Sequence, residues 1–117
     1  MTTLEQAYHE LGCDYEGVTN RLMGDALIAR FVGKFFEDES FAKLGEALAA
    51  QDVKAAFMAA HTLKGVCQNL GLDNLYAPSS ELTELLRAGS LEGADELYAK
   101  VADEYRRTEE VLKPCLQ

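Results

Sequence analysis

Residues 53–72 read VKAAFMAAHTLKGVCQNLGL, and their spacing decides the fold. Placed at intervals of about 100°, Val53, Ala56, Ala60, Leu63, Cys67 and Leu70 fall on one continuous apolar stripe of an α-helix. Several of these side chains are small, so neighbouring helices can approach closely. His61 lies off the stripe, roughly a third of the way round the helix. Its stem is therefore held on a packed element while its imidazole reaches solvent. Lys54, Phe57, Met58, Lys64, Gly65 and Gln68 share its side. Asp52 is suited to cap the start of this helix, and Gly71 to take the left-handed position that closes its end.

The same punctuation divides the rest of the chain. A short helix runs from about Leu4 to Leu11 and stops at Gly12. Cys13 to Asn20 reads as a connection, with a small turn near Thr19 to Met23. From Asp25, the residues Leu27, Ile28, Phe31, Phe35 and Phe36 form a helical stripe. It kinks around Asp38 to Ser40 before continuing through Phe41, Leu44 and Leu48. After Gly71, Asp73 caps a helix towards Arg87. Pro78 removes a hydrogen bond from any helix interior it occupies, so either one turn precedes it or the regular helix starts there. Gly89 ends that segment. Ser90 caps a last helix through Leu97, Val101, Tyr105 and Leu112, stopped near Pro114. No segment alternates with the period of a strand. The expectation is a single all-α domain over residues 1–117: an antiparallel four-helix bundle with an additional short N-terminal helix.

Three features of the His61 helix point to chemistry. Imidazole is a neutral nucleophile near pH 7. Gly65 lies one turn after His61, where side chains lean back towards the helix N-terminus, so a Cβ there would crowd the imidazole. Glycine in a helix interior costs about 1 kcal/mol relative to alanine, and this helix otherwise favours alanine. The bland reading of Gly65 is close packing of another helix. Finally, the chain has 20 acidic residues, yet none lies between Val53 and Leu72. Lys64 could offset the charge of a bound phosphoryl group, and Gln68 could hydrogen-bond the ring or the phosphoryl oxygens. Either residue taken alone is equally well an ordinary solvated side chain.

Composition narrows the alternatives. The 117 residues are 48% hydrophobic, with 9 Gly and 2 Pro, which suits one compact domain. A formal net charge of −9 disfavours nucleic acid and anionic lipid as partners. No apolar run approaches the ~18–20 residues needed to span a bilayer. The N-terminus lacks a basic region followed by an apolar core, so no secretory signal is read there. Cys13, Cys67 and Cys115 form no CxxC pair, and reduced thiols in a cytoplasmic protein are the simple reading. Cys67 lies on the core stripe and should be inert. His9 and Cys13 are four apart, but Gly12 interrupts the helix between them, so no metal site is assigned.

His61-Thr62-Leu63-Lys64-Gly65, followed by Gly71, resembles the H-x-L-K-G…G motif of histidine-containing phosphotransfer (HPt) domains. Leu11-Gly12-Cys13-Asp14, the aromatic-rich stretch Leu27 to Phe36 and the helical hairpin after Gly71 look like the same family. The likeness covers roughly the whole chain. Val66 is bulkier than the family's usual residue, and Pro78 sits early in the following helix. The resemblance implies that His61 accepts the phosphoryl group, with Lys64, Gly65 and Gln68 supporting it. It implies receiver domains of response regulators or hybrid sensor kinases as partners, and Mg²⁺ on the receiver rather than on this chain. No cofactor or metal is expected on the chain itself. Docking is expected around Lys54, Phe57, Met58 and Thr62, with part of the helix from Leu27 to Phe36 completing the patch. For Phe57, partial core packing has equal weight. There is no nucleotide-binding motif, so a phosphocarrier is expected rather than an ATP-dependent kinase. The competing reading is a non-catalytic bundle that binds a receiver or kinase without turnover. The chain is expected to be monomeric. The Met1 start and the length favour a free-standing protein over a piece of a hybrid kinase.

Overall fold

A computed structural model of the chain describes residues 3–116, and no strand occurs among them. Seven α-helices follow in order: α1 (Leu4–Glu10), α2 (Tyr15–Leu22), α3 (Asp25–Glu37), α4 (Ser40–Ala49), α5 (Val53–Leu70), α6 (Asp73–Arg87) and α7 (Ala94–Leu112). A 3₁₀ turn, Lys113–Leu116, ends the described chain. α5 packs between α4 and α6, and α7 closes the ring by packing on α6 and α4. α3 lies against α5 and the 3₁₀ turn, and α1 lies against α7 and α2. The all-helical class expected from the sequence is therefore present.

α5 has the predicted bounds and the predicted ends. Asp52 Oδ1 accepts a hydrogen bond from the Ala55 amide at 3.1 Å, which satisfies one of the amides a helix start leaves unpaired. At the other end Gly71 adopts φ 67° and ψ 26°. Its amide donates to the Gln68 carbonyl at 3.2 Å, and the next amide, of Leu72, donates to the Cys67 carbonyl at 2.9 Å. Ala56, Ala60, Leu63, Cys67 and Leu70 are buried as the stripe required; Ala59 joins them and Val53 is half-buried. Arg21 reaches from α2 to the C-terminal carbonyls of α5, donating to Gln68 O at 3.3 Å and Asn69 O at 3.4 Å. Tyr8 of α1 donates its hydroxyl to Leu70 O at 2.8 Å. The two small N-terminal helices thus hold down the end of the helix that bears His61.

The fourth side of the bundle is made of two helices. Asp38 is extended (φ −68°, ψ 136°), and its Oδ1 accepts from the Ser40 amide at 2.8 Å, so the expected kink is a full break between α3 and α4. Aromatic rings tie both pieces to α7. Phe41 stacks on Tyr105 with centroids 4.1 Å apart and on Tyr98 at 5.8 Å, while Phe35 meets Tyr105 at 5.6 Å. Gly45 admits this approach: a Cβ there would lie 2.7 Å from the Tyr98 hydroxyl.

Three local expectations are corrected, and one open choice is decided. Residues 15–22 form α2 rather than a connection, because Asp14 Oδ1 caps the Gly17 amide at 3.2 Å and Tyr15 and Val18 bury on one face. Two short helices therefore precede the bundle, not one. Asp73 is the first residue of α6, and Leu72 occupies the cap position without a side-chain hydrogen bond. For Pro78 the first of the two readings holds: a little over one turn of α6, from Asp73, precedes it. Burial of Leu75, Leu82 and Leu86 on either side outweighs the lost hydrogen bond. Ser90 does not cap α7. Its Oγ accepts from the Glu92 amide at 3.1 Å, and α7 starts after Gly93, whose φ is 85°.

Two predictions concern stability. A Cβ at Gly71 would overlap Val18 Cγ2, and the backbone there is left-handed. Gly71→Ala should therefore cost about 2–4 kcal/mol, read from urea unfolding. The second concerns alkaline pH. Burial pushes the Tyr8, Tyr15 and Cys67 groups well above their ordinary values, with the Asp25 carboxylate adding to the effect at Tyr15. The folded state then keeps protons that the unfolded chain sheds from about pH 8.5–10. Their stabilising contribution is fully present below that range and is lost progressively from there upward, as pH rises towards the raised folded-state values. The urea midpoint should fall between pH 8 and pH 10.5; a flat profile over that interval would contradict the assignment.

Candidate functional site

His61 is exposed on a helix whose opposite face is wholly packed. At about 100° per residue, Phe57 and Lys64 fall to one side of it and Met58, Thr62 and Gly65 to the other. The two sides differ sharply.

On the Gly65 side lies an open groove of about 710 Å³ between α5 and α3. His61, Thr62, Gly65 and Gln68 line it from α5, Phe31 and Lys34 from α3, and Asp38 from the break that follows α3. A Cβ placed on Gly65 would meet nothing within 4 Å. Close packing of another helix therefore does not explain this glycine. Nor would the Cβ itself crowd the imidazole as expected, since the His61 ring is also beyond 4 Å; the space belongs to the groove that His61 borders, which only a longer side chain would fill. Thr62 turns its hydroxyl back to the Met58 carbonyl at 2.9 Å. Met58 is 56% exposed, a large value for an apolar side chain. It borders a second hollow, of about 570 Å³, with Glu37, Asp38, Glu39 and Lys43 at the α3–α4 break.

On the other side Phe57 is half-buried. Its ring stacks on the His61 imidazole, centroids 5.8 Å apart and planes 18° from parallel. The Arg87 guanidinium of α6 lies 5.0 Å from the Phe57 centroid, within cation–π range. Arg87 Nε in turn donates to Glu84 Oε2 at 2.8 Å. The Arg87 hydrogen bond holds the Glu84 carboxyl below its usual range; Lys64 and His61 add to the effect. Glu84 is thus an acidic neighbour of the site, contributed from outside the acid-free helix. Lys64 is half-buried and forms no ion pair among the described residues. Gln68 and Lys54 are exposed along the His61 side of α5.

The structure therefore gathers His61, Lys64, Gly65 and Gln68 on one face. The four docking candidates divide: Met58 and Thr62 border the α3 side, Phe57 faces α6, and Lys54 lies near the start of α5. Sequence reasoning missed Glu84 and Arg87; it allowed part of the stretch Leu27 to Phe36 to complete the docking patch without choosing the residues, and Phe31 and Lys34 are among those that line the groove. The i, i+3 spacing of Glu84 and Arg87 was readable as a pair, but not which residue of α5 it would face. No group of three or more His, Cys, Asp or Glu side chains suited to a metal occurs among the described residues. No helix there is long and apolar enough to cross a membrane.

The family model for the Hpt domain matches residues 31–111, more than two thirds of the chain. The chain belongs to the Hpt domain family, and with it to phosphotransfer in two-component signalling, where such domains interact with receiver domains of response regulators or kinases. The match spans α5 whole, both walls of the groove and the Glu84–Arg87 pair. No curated protein matches the chain, and no solved structure does.

The open space at Gly65 yields a test independent of activity. Gly65→Ala should raise stability by up to about 1 kcal/mol, because the helix gains propensity and the methyl group meets no neighbour. A loss of stability in urea unfolding would restore the packing explanation.

Proposed function

We propose that His61 is the phosphoryl carrier of this domain, exchanging the group with aspartates of receiver domains. The observation that carries the reading is an exposed imidazole on a helix fixed at both ends, cleared on one side by a glycine that no packing requires. In the forward step a ring-nitrogen lone pair of His61 attacks phosphorus. The N–P bond forms as the acyl P–O bond of the partner's aspartyl phosphate breaks. The electron pair of that bond leaves on the partner's carboxylate. Both the phosphoramidate and the acyl phosphate have high transfer potential, so the step runs in either direction.

Each supporting residue has a distinct part in this reading. The phosphoryl group brings up to two negative charges to His61, and the Lys64 ammonium, one turn away, offsets part of them. Gln68 donates to the ring or to the phosphoryl oxygens. Gly65 leaves the groove open for the incoming receiver, and Met58 supplies an apolar contact beside it. In-line transfer needs further neutralisation of charge. We assign the Mg²⁺ that provides it to the receiver's acidic pocket, because the side chains flanking His61 on α5 include no carboxylate.

The test is transfer from a labelled, phosphorylated receiver domain. The wild-type chain should acquire acid-labile, base-stable phosphate, and His61→Gln should acquire none. Gly65→Leu, which fills the cleared space, should slow transfer more than tenfold while leaving the fold intact. If several active relay receivers leave the wild type unlabelled, the carrier reading fails and a non-catalytic adaptor takes its place.

A further inference from the structure

We propose that Phe57, clamped by Arg87, is a positioning residue that fixes the plane of the His61 imidazole for transfer; the inference rests on the carrier reading above. An exposed histidine on a helix has two free side-chain torsions, and in-line attack uses only a narrow part of their range. Something must restrict the ring without covering its nitrogens. Stacking does both. The nitrogen lone pairs lie in the plane of the imidazole, whereas Phe57 occupies one face, 5.8 Å away and 18° from parallel. The opposite side borders the open groove at Gly65.

Phe57 can do this only if it is itself held. It sits on the same helix, four residues earlier, so the α5 backbone sets its origin but not its rotamer. Arg87 supplies the second constraint from α6, 5.0 Å from the ring centroid. Glu84 orients Arg87 from one turn earlier, through the 2.8 Å hydrogen bond. Four side chains from two helices thus form one chain of contacts, Glu84 to Arg87 to Phe57 to His61. Phe57 is half-buried, unlike the exposed Met58 on the other flank, and it does not line the groove. Both facts favour positioning over docking.

The two roles predict different kinetics. Phe57→Leu keeps an apolar side chain but loses the stacking face. Its maximal transfer rate from a phosphorylated receiver should fall about two- to tenfold, the range set by a single aromatic contact, with the half-saturating receiver concentration unchanged. Phe57→Tyr should retain the wild-type rate. In NMR spectra the His61 ring protons, shifted upfield by the phenyl face in the wild type, should move downfield in Phe57→Leu. They should move part of the way in Arg87→Gln. Amide signals remote from α5 and α6 report that each variant is folded. The inference is overturned if the ring signals of Phe57→Leu match the wild type, or if its loss lies wholly in half-saturation, which is the result for a docking residue. A wild-type chain that takes no label defeats the carrier reading alone; the ring signals then support or overturn the clamp by themselves.

Discussion

The burial of α5 along a stripe of mostly small side chains constrains everything else in the molecule. Ala56, Ala59 and Ala60 let the flanking helices approach, while Leu63 and Leu70 provide most of the apolar area, each contributing about 1.5–3 kcal/mol when fully buried. The stripe fixes the rotation of α5 about its own axis. Once that rotation is set, the direction in which His61 points is no longer free. Asp52 and Gly71 fix the two ends, and Arg21 and Tyr8 attach the C-terminal end to the small helices α1 and α2. A reactive side chain on a loop would need its own restraints. Here the bundle core supplies most of them.

That rigidity creates a conflict, and Gly65 shows how it is resolved. A helix stable enough to aim an imidazole would ordinarily be filled with good helix formers, each projecting a Cβ. At the position one turn beyond His61, a side chain would lean over the ring. The glycine leaves that side open, and nothing in the fold demands it. The contrast with Gly71 and Gly45 is instructive. A Cβ at either of those would collide with Val18 or Tyr98, so those glycines serve packing. Glycines of similar appearance in the sequence therefore answer to different constraints, and only the neighbouring helices distinguish them.

The same distinction explains how much could be read from the sequence. The α5 stripe, both of its caps, the exposure of His61 and the burial of Cys67 follow from periodicity and local hydrogen bonding within one helix. Those depend on residues close in the chain. α2 was missed because Gly17 and Thr19 weaken its propensity, while its stability comes from Tyr15 and Val18 packing on other elements. Pro78 left two starts open for α6, and packing of Leu75, Leu82 and Leu86 selects the earlier one. Ser90 offered a plausible cap, but α7 begins beyond Gly93. The α3 wall of the groove and the Glu84–Arg87 pair depend on how helices are rotated against each other, which a single helical period does not specify.

The electrostatics of the site follow from distance. A net charge of −9 would seem to oppose placing a doubly charged group anywhere on this surface. Screening limits that opposition, because the Debye length is about 8 Å at physiological ionic strength. Most of the acidic residues lie on other helices, and exposed charges beyond that range count for little. The charges on the α6 flank of His61 are Lys64, Arg87 and Glu84, a local excess of one positive charge. On the α3 flank Lys34 and Asp38 balance within the groove, while the hollow beyond Met58 adds Glu37, Glu39 and Lys43, a net of one negative charge. Keeping acids off α5, and pairing the one that approaches from α6 with an arginine, leaves a small region free of excess negative charge on the α6 flank of His61 within an acidic protein.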